Sequence, residues 1–139
     1  MRVLETALYA ADLDAAEGFY GGILGLERVT RAGNRHLFFR LDAAMLLIFN
    51  PDETEIPPAS DGMPVPPHGG RGAGHVAFAA SGAALDRWRA RLEAAGVAIE
   101  ADFRWPGSDA RSIYVRDPAG NSVEFAEPTL WGFAPDASG

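Results

Sequence analysis

The sequence predicts an α+β fold in which two βαβββ modules form a cupped mixed β-sheet, with the helices on the outside. The segments HLFFRL (36–41) and SIYVRD (112–117) share one alternation of apolar residues, with arginine in the same place. In each half a helical pattern also ends at a glycine that is followed by an apolar residue, at Gly25 and at Gly96. Because a unit of this size exposes a sheet face and an edge, we expect the two units to pair and share a core.

The first module is predicted to span residues 1–50. The segment VLETALYA (3–10) alternates as a strand and places Glu5 on the face of Ala7. Asp12 or Asp14 can cap the next helix. Three strand-like runs follow between residues 28 and 49, the best of them at 36–41 and 44–49. The apolar positions that fit helical spacing are Leu13, Ala16, Phe19, Tyr20, Ile23 and Leu24.

Residues 51–73 are predicted to be a linker between the modules. The stretch 50–74 carries six of the ten prolines and five glycines. Proline removes backbone donors, so this density is expected to exclude both a helix and a central strand. The linker is long enough to cross the molecule or to reach a second subunit.

The second module is predicted to span residues 74–127. A strand at 74–80 leads to Ser81, which can cap a helix ending at Gly96. A strand at 97–103, a turn at 105–107 and a hairpin at 111–127 follow. The helix stripe consists of Leu85, Trp88, Leu92 and Ala95. The tail, 128–139, contains Trp131 and Phe133, which we expect to pack on the body or across a dimer contact.

The hairpin at 111–127 contains the main anomaly of the sequence. Its turn, DPAGN (117–121), has the proline, glycine and Asx residues of a tight connection. Glu124 then lies in mid-strand, where a carboxylate requires a partner because burial removes its hydration. By strand period Tyr114 faces the same side as Glu124. One explanation of Glu124 is an ion pair with Arg111 or Arg116.

Composition narrows the possible functions. The chain has 139 residues, a net charge of −7 and no cysteine. The negative charge argues against nucleic acid and anionic membrane surfaces as partners. Without cysteine there is no disulfide framework, thiolate nucleophile or cysteine zinc site. Neither a signal peptide nor an apolar run near eighteen residues is present, which favours a cytoplasmic protein.

Three stretches resemble the vicinal oxygen chelate superfamily, which includes glyoxalase I, extradiol dioxygenases and bleomycin-resistance proteins. They are ETALYAADLDAAEGFYGGILGLE, GAGHVAFAAS and YVRDPAGNSVEF. The resemblance implies metal ligands on the first and last strands of each module. The matching positions hold Glu5, His75 and Glu124, while the fourth falls within the apolar run 46–48.

Two carboxylates and one imidazole suit a divalent ion such as Mn²⁺, Fe²⁺, Mg²⁺, Zn²⁺, Ni²⁺ or Co²⁺, with positions left open for substrate. Each residue also has a simpler structural explanation. Considered without the other positions, His75 fits a hydrogen-bonded histidine of the protein interior. Considered in the same way, Glu5 fits a solvated charge on an edge strand. Because all three residues match ligand positions of the superfamily, a metal site is favoured over these separate explanations. His36 and His68 are not expected to be ligands.

The resemblance also implies that Tyr114 lies near the metal, as a proton donor or hydrogen-bond partner of an oxyanion. The alternative to this functional role is that Tyr114 is an amphipathic side chain that fills the core. Glu124 is predicted to be catalytic as well as a ligand. Further residues are predicted to line the pocket or its rim: Ser112, Phe38, His36 and Trp105.

The function implied is that of a metal-dependent enzyme acting on a small bidentate oxygen substrate by stabilising an oxyanion or enolate, as a lyase or an isomerase. Glyoxalase I uses four ligands, whereas this chain shows three. Ring-cleaving dioxygenases use two histidines, whereas this chain has Glu5 at the first ligand position. The alternatives are a non-enzymatic drug-binding protein of the bleomycin-resistance type and a ring-cleaving dioxygenase. A homodimer is expected, with the modules paired within one chain or swapped between chains.

Overall fold

The computed structural model describes residues 1–135, in which two units each carry a four-stranded mixed sheet. The first unit is Met1–Gly74 and the second begins at His75. Both units have the order strand, helix and three strands, so the predicted α+β fold of two βαβββ modules is confirmed. No helix in this part of the chain is long and apolar enough to cross a membrane.

In the first unit, the edge strand that bears Glu5 pairs in parallel with the last strand of the module. The elements are β1 (Glu5–Tyr9), α1 (Leu13–Glu17), a π-helical segment (Gly18–Ile23), β2 (Glu27–Ala32), β3 (His36–Arg40) and β4 (Met45–Phe49). The sheet order is β1-β4-β3-β2, and the other neighbours are antiparallel. Asp12, one of the two candidate caps, accepts a hydrogen bond from the Ala15 amide.

One face of this sheet is covered by the helical segment, as its spacing predicted. Leu13 and Tyr20 are fully buried together with Leu37 and Ile48. Because side chains alternate along a strand, Glu5, Ala7 and the other odd-numbered residues of β1 lie on the opposite face. That second face carries the candidate site residues of the first unit.

Residues after β4 begin with a helical turn, α2 (Pro51–Thr54), so the expectation that proline excludes a helix here is wrong. Pro51 occupies the first turn, where a missing N–H removes no helical hydrogen bond, and Asn50 caps the turn through the Asp52 amide. The chain then returns to α2, where the His68 amide donates to the Thr54 carbonyl at 3.0 Å, and to β1, where His68 Nδ1 lies 2.7 Å from Tyr9 Oη. Prolines therefore stop α2 from extending but do not prevent its first turn.

The second unit repeats this topology. Its elements are β5 (His75–Ala79), α3 (Gly82–Ala94), β6 (Ala101–Arg104), β7 (Arg111–Arg116) and β8 (Ser122–Ala126), with the sheet order β5-β8-β7-β6. Ser81 caps α3 by accepting a hydrogen bond from the Ala84 amide. Trp88 is half-buried and packs on Phe125 of β8 with 4.9 Å between ring centroids, so it lies on the face of α3 that contacts the sheet. The strand expected at 97–103 forms only from Ala101.

The tail forms a 3-10 turn, Pro128–Trp131, and does not bury its aromatic side chains on the body. Trp131 is 78% exposed and Phe133 is 68% exposed. Of the two placements expected for these rings, packing on their own chain is not seen within residues 1–135, and a dimer contact stays a prediction. The last part of the tail, residues 136–139, lies outside the described residues.

Candidate functional site

The β7–β8 hairpin holds Glu124 on the face of the second sheet that α3 does not cover. The turn is built as its sequence predicts, because Gly120 has a positive φ of 86° and the Asp117 carboxylate accepts from the Asn121 amide. This register places Glu124 opposite Tyr114 on β7 and opposite Ala77 on β5. The two predicted catalytic side chains, Tyr114 and Glu124, therefore lie side by side.

His75 lies at the start of β5 and reaches the same carboxylate. Its Nε2 is 3.3 Å from Glu124 Oε2, and its Nδ1 is 3.1 Å from the Ser122 carbonyl oxygen. A carbonyl only accepts, so Nδ1 carries the proton, and in the neutral ring Nε2 keeps its lone pair. That lone pair and the carboxylate oxygen are both acceptors, and a cation would satisfy both. A hydrogen bond from the distal ring nitrogen to a carbonyl is also how metal-binding histidines are commonly held.

Glu124 is buried although its carboxylate oxygens do not all have hydrogen-bond partners. Its residue exposure is 5%, and Oε1 has no hydrogen-bond partner. The ion pairs considered from the sequence are not formed, because Arg111 binds Asp102 and Arg116 binds Glu100. A buried carboxylate oxygen without a donor is costly unless a ligand supplies the missing interaction.

Tyr114 adds a proton donor beside this carboxylate. Its ring stacks on Phe103 at 5.9 Å between centroids and lies 6.3 Å from the His75 ring. Burial, and then the hydrogen bond to Glu124, raise the pKa of Tyr114 to about 12. The phenol therefore keeps its proton near neutral pH and donates it to hydrogen bonds.

Trp105 and Ser112 continue this arrangement as a directed chain of hydrogen bonds. The indole N–H of Trp105 can only donate, and it donates to Ser112 Oγ at 2.9 Å. The Ser112 hydroxyl proton is then free for Tyr114, and this hydrogen bond opposes the rise in the Tyr114 pKa without outweighing burial and Glu124. Ser112 is fully buried, so it contacts the site through its neighbours. The chain of donors runs from Trp105 towards Glu124.

In the first unit, the strand register identifies the residue at the fourth ligand position. Leu47 pairs with Ala7 on β1, just as Glu124 pairs with Ala77 on β5. The equivalent of Glu124 is therefore Leu47, which offers no ligand atom. Glu5 lies on the same face of the edge strand and is exposed.

The same face of the first unit carries a cluster of aromatic rings. His36 stacks on Phe38 with 4.3 Å between centroids, and Phe38 contacts Phe49 edge-on at 5.3 Å. Tyr9 Oη lies 2.7 Å from His68 Nδ1. His36 and Phe38 were predicted from strand period. Tyr9 and His68 were missed because nothing local shows that residues after α2 fold back onto β1.

Across residues 1–135, no group of three or more His, Asp or Glu side chains is close enough together to hold a metal ion. The pair His75 and Glu124 nevertheless fits one, on three observations: a buried carboxylate oxygen without a partner, an imidazole with its distal nitrogen held by a carbonyl, and a separation of 3.3 Å between His75 Nε2 and Glu124 Oε2. Phe103, which stacks on Tyr114, was not predicted as a site residue. The sequence offered one signal for Phe103, which is its position on a predicted strand two residues before Trp105.

The sequence profile of the Glyoxalase/Bleomycin resistance protein/Dioxygenase superfamily matches residues 2–125. The crystal structure of lactoylglutathione lyase from Agrobacterium tumefaciens is 47% identical, with a TM-score of 0.90, and the match covers 95% of this chain and 97% of that chain.

Two more distant structures show the fold alone. A glyoxalase/bleomycin resistance protein/dioxygenase from Nocardioides has 23% identity and a TM-score of 0.69, covering 91% of this chain and 82% of that one. A glyoxalase family protein from Enterococcus faecalis has 22% identity and a TM-score of 0.68, covering 91% and 97%. No protein with a curated description matches the chain. With the profile matched over nearly its whole length, the chain belongs to the glyoxalase/bleomycin resistance protein/dioxygenase superfamily.

Proposed function

We propose that the protein is a divalent-metal-dependent enzyme, a lyase or isomerase, that acts on a small substrate with two adjacent oxygen atoms. The observation that carries the proposal is the buried Glu124 carboxylate, which faces the His75 lone pair and has an oxygen without a partner. Membership of a superfamily whose members are generally metal-dependent supports it.

His75 Nε2 and the Glu124 carboxylate would hold the ion. Glu5 is proposed as the third ligand, and since no three such side chains of residues 1–135 lie close together, it would come from a second copy of the chain. A divalent ion bound there supplies a Lewis acid that stabilises an oxyanion or enolate. A set of one imidazole and two carboxylates suits Mn²⁺, Fe²⁺, Zn²⁺, Ni²⁺, Co²⁺ or Mg²⁺. Two carboxylates also neutralise the double positive charge, so the polarising power is weaker than with two histidines.

The protein's own groups would handle the proton. Tyr114 remains protonated near neutral pH and can donate to an oxyanion of the substrate. Trp105, through Ser112, holds the phenol in this donating arrangement. The Phe103 ring packs flat on Tyr114 and limits the movement of its ring. We also propose that His36 and Phe38 contact the substrate.

Lactoylglutathione is the first substrate to test, because the Agrobacterium tumefaciens structure that is 47% identical to this chain is a lactoylglutathione lyase. Leu47 at the fourth ligand position is the main reason to extend the screen to other thiol adducts, to diketones and to catechols. A ring-cleaving dioxygenase is less well supported, since the proposed set contains a single histidine.

Metal binding provides the direct test of this proposal. Protein stripped with chelator is expected to take up one divalent ion per chain in calorimetric titration and to regain activity with one ion of the series. The variant Glu100→Gln is a suitable control, because Glu100 is an exposed carboxylate paired with Arg116. Protein that binds none of these ions would overturn the metal-dependent function.

A second candidate function is sequestration of a small molecule without catalysis. The aromatic face of the first unit favours it, since rings of Phe38, His36 and Phe49 lie together on a sheet face next to an apolar Leu47. Binding of a ligand that continues unchanged in chelator and in the Glu124→Gln variant would favour sequestration over the enzyme.

We further propose that the protein is a homodimer. Superfamily members often form dimers, and exposed apolar side chains lie at both ends of the chain, Val3 and Leu4 at one end and Trp131 and Phe133 at the other. We expect light scattering at micromolar concentration to give twice the mass of the chain. A monomer at that concentration would contradict this assembly. Mixing Glu5→Gln with Glu124→Gln protein then tests whether one site takes ligands from two chains, because such mixtures regain activity only if it does.

A further inference from the structure

A cavity of about 410 Å³ lies in the first unit, where the β2–β3 turn faces the segment after α2. This volume is within the range of small-molecule sites. The residues that matter for its chemistry are Arg35, Glu53, Ile56, Pro58, Met63 and Val65. All of its lining residues belong to the first unit, whereas His75 and Glu124 belong to the second.

Two opposite charges line this cavity without neutralising each other. Arg35 forms no ion pair with any carboxylate among residues 1–135, and neither does Glu53 with any cation there. The other two acids of the α2 region, Asp52 and Glu55, are both bound by Arg71 at 2.8 and 2.7 Å. Glu53 is therefore the acid of this segment that is left for a ligand.

Arg35 is also held in place by a neighbour. Its Nη1 lies 2.9 Å from His36 Nδ1, and a guanidinium can only donate, so the imidazole accepts. Burial, and then the charge of Arg35, lower the pKa of His36, which keeps this ring neutral and able to accept. One end of the guanidinium is thus fixed while its remaining donors are available.

The rest of the wall is apolar and exposed. Ile56, Met63 and Val65 are 61%, 79% and 52% exposed, and prolines separate them along the chain. Large apolar side chains that gather at the mouth of one cavity indicate contact with an apolar ligand group. Prolines also restrict the segment before binding, which lowers the entropy lost when a ligand is held.

We propose that this cavity binds a zwitterion with an apolar side chain, of the free α-amino acid class. The carboxylate of the ligand would bind Arg35, its ammonium group would face Glu53, and its side chain would contact Met63 and Val65. A ligand with only one charge would leave the opposite wall charge without a partner. None of the residues that line this cavity is a proposed metal ligand.

Calorimetric titration of the full chain in chelator tests this site with three probes: L-phenylalanine, 3-phenylpropionate and phenethylamine. We expect L-phenylalanine to bind more tightly than either singly charged analogue. Arg35→Met should weaken L-phenylalanine binding by about tenfold, the range of one charge-assisted contact. Glu53→Gln should weaken the binding of L-phenylalanine but not that of 3-phenylpropionate. Met63→Ser should weaken the binding of all three probes.

Two control variants make the result specific. Arg87→Met removes an exposed arginine of α3, outside the cavity, and should leave all three affinities unchanged. Glu124→Gln should also leave them unchanged, because Glu124 is not among the residues that line the cavity. Equal binding of the three probes, or affinities unchanged by Arg35→Met, would overturn the proposal. Loss of L-phenylalanine binding in Glu124→Gln would also overturn it, by placing the probe at the metal centre. Failure to bind metal, in contrast, would affect only the proposed function.

Discussion

Glu124→Gln is expected to stabilise the metal-free protein while lowering its affinity for a divalent ion by at least about 100-fold. The carboxylate is buried, one oxygen has no partner, and the other faces an acceptor nitrogen of His75. A glutamine of the same shape removes the charge, and its amide N–H can donate to His75 Nε2. We expect the gain in unfolding free energy to be about 1 kcal/mol, the scale of one satisfied buried hydrogen bond.

Thermal unfolding in chelator and in excess ion measures both effects together. Wild-type protein should gain stability when the ion is added, because the ion binds the folded state. The Glu124→Gln variant should be more stable than wild type in chelator and should gain almost no stability when the ion is added. A variant that is less stable without metal, and that still responds to the ion, would contradict a ligand role for Glu124.

Asp102→Asn is expected to destabilise the second unit by about 2 kcal/mol at neutral pH. Asp102 on β6 accepts two hydrogen bonds from Arg111 on β7, from Nε and Nη2, each at 2.8 Å. Both side chains are mostly buried, at 16% and 17% exposure. Hydrogen bonds from Arg111, and then from Arg89, lower the pKa of Asp102 from 3.8 to about 2. That difference corresponds to about 2 kcal/mol.

The direction in which folding shifts the pKa of Asp102 determines how the stabilisation varies with pH. The pKa of Asp102 is lower in the folded state, so the unfolded chain binds the proton more readily, and the stabilisation is complete above about pH 4. It is lost as the pH falls towards about 2. Urea unfolding should therefore show a difference between wild type and Asp102→Asn that is constant near neutral pH and shrinks below about pH 4.

A matched variant separates this buried pair from an ordinary surface pair. Glu100→Gln removes a carboxylate that binds Arg116 on the same sheet, but both of these side chains are about half exposed. Solvent screens such pairs, so the change in unfolding free energy should be much smaller than for Asp102→Asn. Equal effects of the two substitutions, or a difference that does not vary with pH, would contradict the assignment.

Much of the fold followed from local patterns. Alternation in HLFFRL and SIYVRD predicted two of the strands, and Ser81 and Asp12 were found as helix caps. The one-turn helix at 51–54 was missed because proline was treated as a breaker at every position, although the first turn tolerates it. Trp131 was expected to pack on the body or across a dimer contact because it is apolar, and among the described residues no element covers it.

The sequence by itself determined the two repeated modules, the face of β8 on which Glu124 lies and the face that Tyr114 shares with it. These depend on the two-residue period of a strand and on a five-residue turn, which are local. Only the tertiary structure decided that His75 faces Glu124 across 49 positions of chain, that Leu47 occupies the fourth position, and that Arg35 and Glu53 line one cavity. Those contacts depend on pairing between distant strands and on the path of a loop, and local alternation fixes neither of them.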